Sequence, residues 1–412
     1  MLYHAYELQR SWLNGASAWA AIGAEMLTNP ANPLGYTSLG PIAASALDVF
    51  AHASAPRGKP EFGIEAVEVA GQSCPVTESV VFNKPFGDLR SFRREGLPDG
   101  APRLLIVAPM SGHYATLLRG TVERMVQNAE VFITDWTDAR EVPLAEGRFD
   151  LDDYIDYLIE FLEFIGPGTH MMAVCQPSVP ALAATAVMNR TDNPAAPATL
   201  TMMGGPIDTR CSPTSVNDLA MDRPISWFRH NVIATVPMRY AGAGRQVYPG
   251  FMQLAGFMSM NLGNHILSHY EMFKHLTVGD HQSAQATKDF YQEYRSVCDM
   301  TAEFYLQAVE EVFQKHSLPN GTFVHRGTPV DLGDITGTAL LAIEGERDDI
   351  SGLGQTRAAL DLTPNLADRK KRYYMAEGAG HYGIFNGSRW RTKIAPVVEE
   401  FIATHRSDRS PA

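Results

Sequence analysis

The chemistry readable in this sequence centres on Cys175. It follows the apolar run 171–174 and precedes Gln176-Pro177-Ser178, where a helical pattern over 178–188 begins. A thiol presented on a strand-to-helix turn acts as a nucleophile when a base takes its proton and a carboxylate orients that base. Two later apolar runs end in such groups. The run 339–343 leads into Glu344-Gly345-Glu346-Arg347-Asp348-Asp349-Ile350, and the run 372–375 leads into Glu377-Gly378-Ala379-Gly380-His381-Tyr382-Gly383. Asp348 is the preferred acid, three residues past Gly345 with Ile350 able to pack beneath it; Asp349 competes for the role. Gly380 and Gly383 let the loop bearing His381 turn tightly. Each piece alone is ordinary, since a free cysteine is most often a core residue. Three run-ends carrying nucleophile, acid and histidine in that chain order point to acyl transfer through a thioester.

Such a reaction needs preorganised donors for the tetrahedral oxyanion. The backbone N–H of Gln176, next to the nucleophile, is one candidate. The other belongs to the loop Pro109-Met110-Ser111-Gly112-His113, with Ser111 preferred and Met110 next. Met110, His113 and Trp136 are candidates for lining a substrate pocket; His113 reads equally well as a histidine holding its loop. Asp135 reads as the cap of a local turn. Asp150, Asp152 and Asp153 sit at a helix start, where the helix dipole favours acids. His265, His269, His275 and His281 show no metal-ligand spacing with carboxylates, and neither a metal nor an organic cofactor is expected.

These groups need a scaffold that brings strand ends together. Apolar runs at 104–108, 131–134, 171–174, 199–203, 339–343 and 372–375 alternate with helical patterns near 116–128, 152–165 and 178–188. Continuous apolar strands alternating with helices imply a mostly parallel sheet covered on both faces. Segments 64–69 and 76–82 read as earlier antiparallel strands. Between about 211 and 330 the rhythm stops, and Met- and aromatic-rich helical patterns follow, including a period through Phe290, Tyr294, Val297, Phe304, Val309 and Phe313. The expectation is an α/β class chain with an α/β-hydrolase fold: a mostly parallel, doubly wound sheet with a largely helical cap inserted after strand 6. The boundaries expected are 1–60 for an N-terminal helical segment and linker, 61–210 and 331–406 for the two parts of the core, and 211–330 for the cap. Residues 1–28 read as a helix packed on the body through an apolar side that includes Trp12 and Trp19, with a surface helix offering those aromatics to a hydrophobic partner as the alternative; residues 51–60 read as a linker, and 407–412 as disordered.

The chain has 412 residues and a formal net charge of −12. An acidic protein repels phosphate backbones, so nucleic acid is excluded as a partner. Four cysteines without a CxxC pair suggest neither a disulfide framework nor a zinc site, and fit a reducing cytoplasm. The first residues lack the basic and apolar regions of a secretory signal. No run is expected to span a membrane: the longest uncharged stretch, about 170–189, contains Pro177 and Pro180.

Met1-Leu2-Tyr3, Tyr6-Glu7-Leu8-Gln9-Arg10, Ala108-Pro109-Met110-Ser111-Gly112-His113, Asp135-Trp136, Val174-Cys175-Gln176-Pro177-Ser178 and the segment 378–383 together resemble the intracellular poly(3-hydroxybutyrate) depolymerases. The resemblance runs over nearly the whole chain. It implies a Cys-Asp-His triad at Cys175, Asp348 and His381. It also implies hydrolysis of polyhydroxyalkanoate esters at the surface of native granules in the cytoplasm, with 3-hydroxybutyrate monomer or oligomers as products. A synthase-like acyltransferase and a non-catalytic granule-surface protein are the alternatives, and homo-oligomerisation is left open.

Overall fold

The computed structural model describes residues 2–29, 31–33, 37, 39–55, 57–260 and 262–406; the segment 407–412, expected to be disordered, lies outside them. At the centre is a nine-stranded sheet. Its strands in chain order are β1 Ala66–Val69, β2 Gln72–Phe82, β3 Gly87–Arg94, β4 Arg103–Val107, β5 Glu130–Trp136, β6 His170–Val174, β7 Thr199–Met203, β8 Ala339–Gly345 and β9 Lys371–Ala376. They lie in the order β1-β2-β3-β5-β4-β6-β7-β8-β9. β1 to β3 pair antiparallel, β3 meets β5 antiparallel, and β5 through β9 run parallel. β4, β6, β7 and β8 are buried at every position but one, Arg103, as strands covered on both faces must be.

Helices Leu151–Ile165 and Ser178–Arg190 supply part of that cover. The first starts with a reciprocal cap: Asp150 accepts from the Asp153 N–H at 3.1 Å, and Asp153 accepts from the Asp150 N–H at 2.8 Å. These acids are structural. Parallel order, crossover helices and a strand-to-helix turn after β6 make this an α/β-hydrolase fold.

Strand β3 was not foreseen, so the cap follows the seventh strand rather than the sixth, at the same place in the sequence. Gly87–Arg94 carries three arginines, yet Arg90 is neutralised across the sheet by Glu78 and Asp135, at 2.7 and 2.5 Å. The cap contains helices Ser215–Asp222, Ile225–Asn231, Gly250–Met260, Leu262–Thr277, His281–Tyr294 and Ala302–Ala308, and a small three-stranded sheet. Val297 leaves the expected helical period: it lies past the end of its helix and pairs with His113 in an isolated bridge.

At the N-terminus, helix Leu2–Thr28 packs on helix Gly40–Ser54. Residues 51–54 are therefore helix rather than linker. The contact uses small residues, Ala20, Ala24 and Ala44, which are buried, while Trp12 and Trp19 are 75% and 77% exposed. This reverses the expectation that the tryptophans pack on the body. Among the described residues no helix is long and apolar enough to cross a membrane.

Candidate active site

The turn after β6 holds Cys175 at φ 67°, in the left-handed region that a side-chain-bearing residue enters at a cost of about 1–2 kcal/mol. Two features keep it there. The Cys175 N–H donates to the Met203 carbonyl at the end of β7, at 2.7 Å, and the Ser178 N–H returns to the Cys175 carbonyl at 3.1 Å. Gly205 then lets the neighbouring chain close in: a Cβ there would stand 2.1 Å from Ser178 Oγ. Pro177 forms the helix N-cap, where its missing N–H costs nothing. Cys175 is half-buried.

The structure brings His381 and Asp348 to the same spot. His381 Nδ1 is 2.8 Å from Asp348 Oδ2, and both side chains are almost wholly buried. The other carboxylate oxygen, Oδ1, accepts the N–H groups of Ile350 at 2.9 Å and Ser351 at 2.8 Å. Of the two competing acids, Asp348 is the one that faces the imidazole. Burial pushes the His381 imidazole down. The charges of Cys175 and Asp348, with hydrogen bonds to both, outweigh it and hold His381 well above its ordinary value. The site thus favours an imidazolium beside the sulfur. Gly204, at φ 60°, passes so close that a Cβ would lie 3.1 Å from His381 Cε1 and 3.2 Å from Asp348 Oδ2.

Among the described residues, the backbone N–H groups of Gln176, Met110 and Ser111 donate no hydrogen bond. They are open donors around the turn, as an oxyanion site requires. Gly112 and its neighbours are fastened to the cap: the Cys298 N–H donates to the Gly112 carbonyl at 2.8 Å, and a Cβ on Gly112 would meet Gln253 Cγ at 2.8 Å. His113 is buried, with Nε2 3.0 Å from the Tyr294 carbonyl, and burial lowers it to about 4. It holds the cap to this loop as a neutral ring. Trp136 departs from the pocket-wall expectation. It is buried against Tyr154, with ring centroids 4.4 Å apart, and its indole N–H donates to the Ala108 carbonyl at 2.8 Å. It braces the base of the loop 109–113. Met110 is likewise 5% exposed and belongs to the main core. Asp135 caps no turn; it is buried and paired with Lys59 at 2.6 Å and with Arg90.

Sequence reasoning passed over two contributors. Glu344, buried at the end of β8, accepts N–H groups from Gly354, Thr356 and Arg357 at 2.8–3.0 Å and the Tyr373 hydroxyl at 2.9 Å. Tyr382, next to His381, is hydrogen-bonded to Tyr294 of the cap. Burial, then the charges of Tyr294 and Cys175, push its hydroxyl far up. The one available signal was position in the chain: Glu344 lies four residues before Asp348, and Tyr382 follows His381. Among the described residues, no group of three or more His, Cys, Asp or Glu could hold a metal ion.

Comparison with known proteins adds a family. Residues 204–406 match the model described as PHB de-polymerase C-terminus. No curated protein matches the chain. Among solved structures, a monoacylglycerol lipase of Paleococcus ferrophilus is similar at 12% identity and a TM-score of 0.43, over 81% of this chain and 100% of that one. A 2-hydroxy-6-oxo-6-phenylhexa-2,4-dienoate hydrolase from Rhodococcus sp. strain RHA1 is similar at 11% identity and a TM-score of 0.43, over 80% of this chain and 99% of that one. A thermophilic esterase from Thermogutta terrifontis shows 12% identity and a TM-score of 0.40, over 83% and 98%. The assignment of the fold rests on strand order and on the turn after β6, and within that α/β-hydrolase fold residues 204–406 match the C-terminal part of the poly(3-hydroxybutyrate) depolymerase family.

Proposed function

We propose that the protein hydrolyses ester bonds of poly(3-hydroxybutyrate) through a Cys175–His381–Asp348 triad and a thioester acyl-enzyme. The observation that carries the reading is the left-handed Cys175 at the turn after β6, coupled to an imidazole that Asp348 holds at 2.8 Å. The polymer as substrate is supported by the family match.

The sulfur attacks the ester carbonyl, and the oxyanion is held by the N–H of Gln176 and that of Ser111 or Met110. His381 gives its proton to the departing hydroxyl as the C–O bond breaks. It then takes a proton from water, which adds to the thioester; collapse releases the acid and returns the sulfur. Asp348 keeps Nδ1 protonated, so that Nε2 does the exchanging. The tally of atoms needs only water.

The apolar face Leu8, Trp12, Trp19, Ile22 and Met26 is exposed along helix Leu2–Thr28 at spacings of 4, 7, 3 and 4 residues, one side of an α-helix. It carries no charge and suits a neutral polyester surface better than an anionic membrane, which the net charge of −12 opposes. The reading places the protein in the cytoplasm at granule surfaces. Product analysis after incubation with amorphous poly(3-hydroxybutyrate) tests it. Wild type releases 3-hydroxybutyrate or its oligomers and folded Cys175→Ala releases none; turnover surviving in Cys175→Ala refutes the nucleophile.

A further inference from the structure

A cavity of about 640 Å³ lies away from the triad, between the N-terminal helix, the end of helix Gly40–Ser54 and the cap. That volume suits a small acyl molecule rather than a polymer. One wall is apolar, from Leu13, Phe251, Leu254 and Met258. The last three share one face of helix Gly250–Met260.

The remaining wall is cationic, with Arg10, Arg57, Arg140 and Arg295. Arg140 has its counter-ions, Asp138 at 3.0 Å and Glu141 at 3.4 Å. Arg57 spends its amino groups on Gln292 and on the His52 carbonyl, but its Nε is buried without a partner among the described residues. The Arg295 guanidinium has no ion pair or hydrogen bond among them either. Burial, and then the charge of Arg295, push Arg57 below its ordinary value; burial does the same to Arg295. Asp299 is the one acid among the lining residues, and it is already engaged: Oδ2 accepts from the Tyr3 hydroxyl at 2.7 Å and Oδ1 from the Gly250 N–H at 2.9 Å. Two guanidinium groups without counter-ions that line one part-buried space and act on each other are costly unless an anion sits between them. A second orphan is an acceptor, Oδ1 of Asn14, buried and unpaired.

We propose that this cavity binds a short hydroxyacyl carboxylate. The carboxylate lies between Arg57 and Arg295, the hydroxyl donates to Asn14, and the alkyl chain lies on Leu254 and Met258. The identification of that ligand as the acid released by hydrolysis rests on the function proposed above. The cavity itself does not: none of its lining residues belongs to the triad. Helix Gly250–Met260 and Val297 lie between it and the loop 109–113: Gln253 of that helix packs on Gly112, and Val297, which lines the cavity, pairs with His113.

Calorimetric titration of full-length Cys175→Ala protein with the linear dimer of 3-hydroxybutyric acid tests the site without turnover. Saturable one-to-one binding is expected, with the methyl ester of the dimer at least tenfold weaker. Arg295→Gln weakens the acid at least tenfold. Leu254→Trp, which fills the cavity and touches no charge, removes binding; thermal melts establish that both variants are folded. Equal affinity for acid and methyl ester, or unchanged affinity in folded Arg295→Gln, overturns the site. Octanoate binding tenfold tighter than the dimer overturns the hydroxyacyl assignment in favour of plain fatty acids. Loss of the site with Cys175-dependent turnover intact refutes this proposal alone, whereas binding without turnover in wild type refutes the hydrolase reading alone.

Discussion

Replacing Asp348 with Asn removes one charge and almost no volume, so it isolates what the carboxylate does for His381. The backbone donors of Ile350 and Ser351, at 2.9 and 2.8 Å, can still bond to the amide oxygen, which keeps the loop in place. The amide nitrogen then turns toward Nδ1, 2.8 Å away in the wild type, where two N–H donors cannot face each other. The ring responds by moving its proton to Nε2, the nitrogen needed as base. The lost attraction follows from geometry: charge centres about 4 Å apart at an effective dielectric constant of about 20 interact by about 4 kcal/mol. At about 1.4 kcal/mol per decade that is about a 10³-fold loss in kcat/KM, near the roughly 10⁴-fold known for the equivalent change in a serine triad. The assay is steady-state hydrolysis of a soluble short-chain ester, with a thermal melt to establish folding. Asp349→Asn stays within threefold of wild type. If Asp348→Asn keeps a tenth of wild-type kcat/KM, or if Asp349→Asn shows the larger loss, the triad assigned here is wrong.

Gly205→Ala drives a Cβ to within 2.1 Å of Ser178 Oγ, and the expected loss is roughly 3 kcal/mol or more of stability, read by denaturant melts; a melt unchanged from wild type would show that the turn relaxes freely. Trp12→Ser with Trp19→Ser leaves hydrolysis of a soluble ester intact, since both rings are about three-quarters exposed, but lowers granule binding in a sedimentation assay at least tenfold; unchanged sedimentation counts against this face. Because folding raises the His381 value, its protonation stabilises the folded chain in full below about pH 6.5 and ceases to do so as pH climbs through the folded-state value. The wild-type melting temperature therefore falls more steeply on the alkaline side than that of His381→Gln, and parallel declines would sink the argument.

The elements that position the site were legible because β4, β6, β7 and β8 are buried on both faces and so read as unbroken apolar runs ending in the residues of interest. What escaped was whatever depends on a partner far along the chain. β3 looks too charged for a sheet until Arg90 meets Asp135, 45 residues away. Helix Gly40–Ser54 ends in small residues that resemble a linker, because its partner is another helix of small residues. Trp136 at the end of a strand suggested a pocket; the aromatic side chains of the following helix, Tyr154 and Tyr157, instead close over it. Between Asp348 and Asp349 the structure favours Asp348 through its local hydrogen bonds: Oδ1 is held by N–H groups two and three residues on, which leaves Oδ2 for the ring.

The three loops that carry the proposed triad are not independent. Glu344 draws in the backbone of Gly354, Thr356 and Arg357, which fixes the segment following Asp348. Thr356 Oγ1 accepts from the Gly205 N–H at 2.8 Å and donates to the Gly205 carbonyl at 3.0 Å. Gly205 in turn packs on Ser178, in the first turn of the helix that follows Cys175. A carboxylate with four donors needs no counter-cation, so Glu344 can sit 1% exposed at the end of β8 and still fasten the acid's loop to the nucleophile's turn. The placement of sulfur, imidazole and carboxylate is thereby set by groups outside the proposed triad. For the same reason the left-handed strain at Cys175 persists: relaxing it would mean moving Gly205, Thr356 and the Glu344 cluster together.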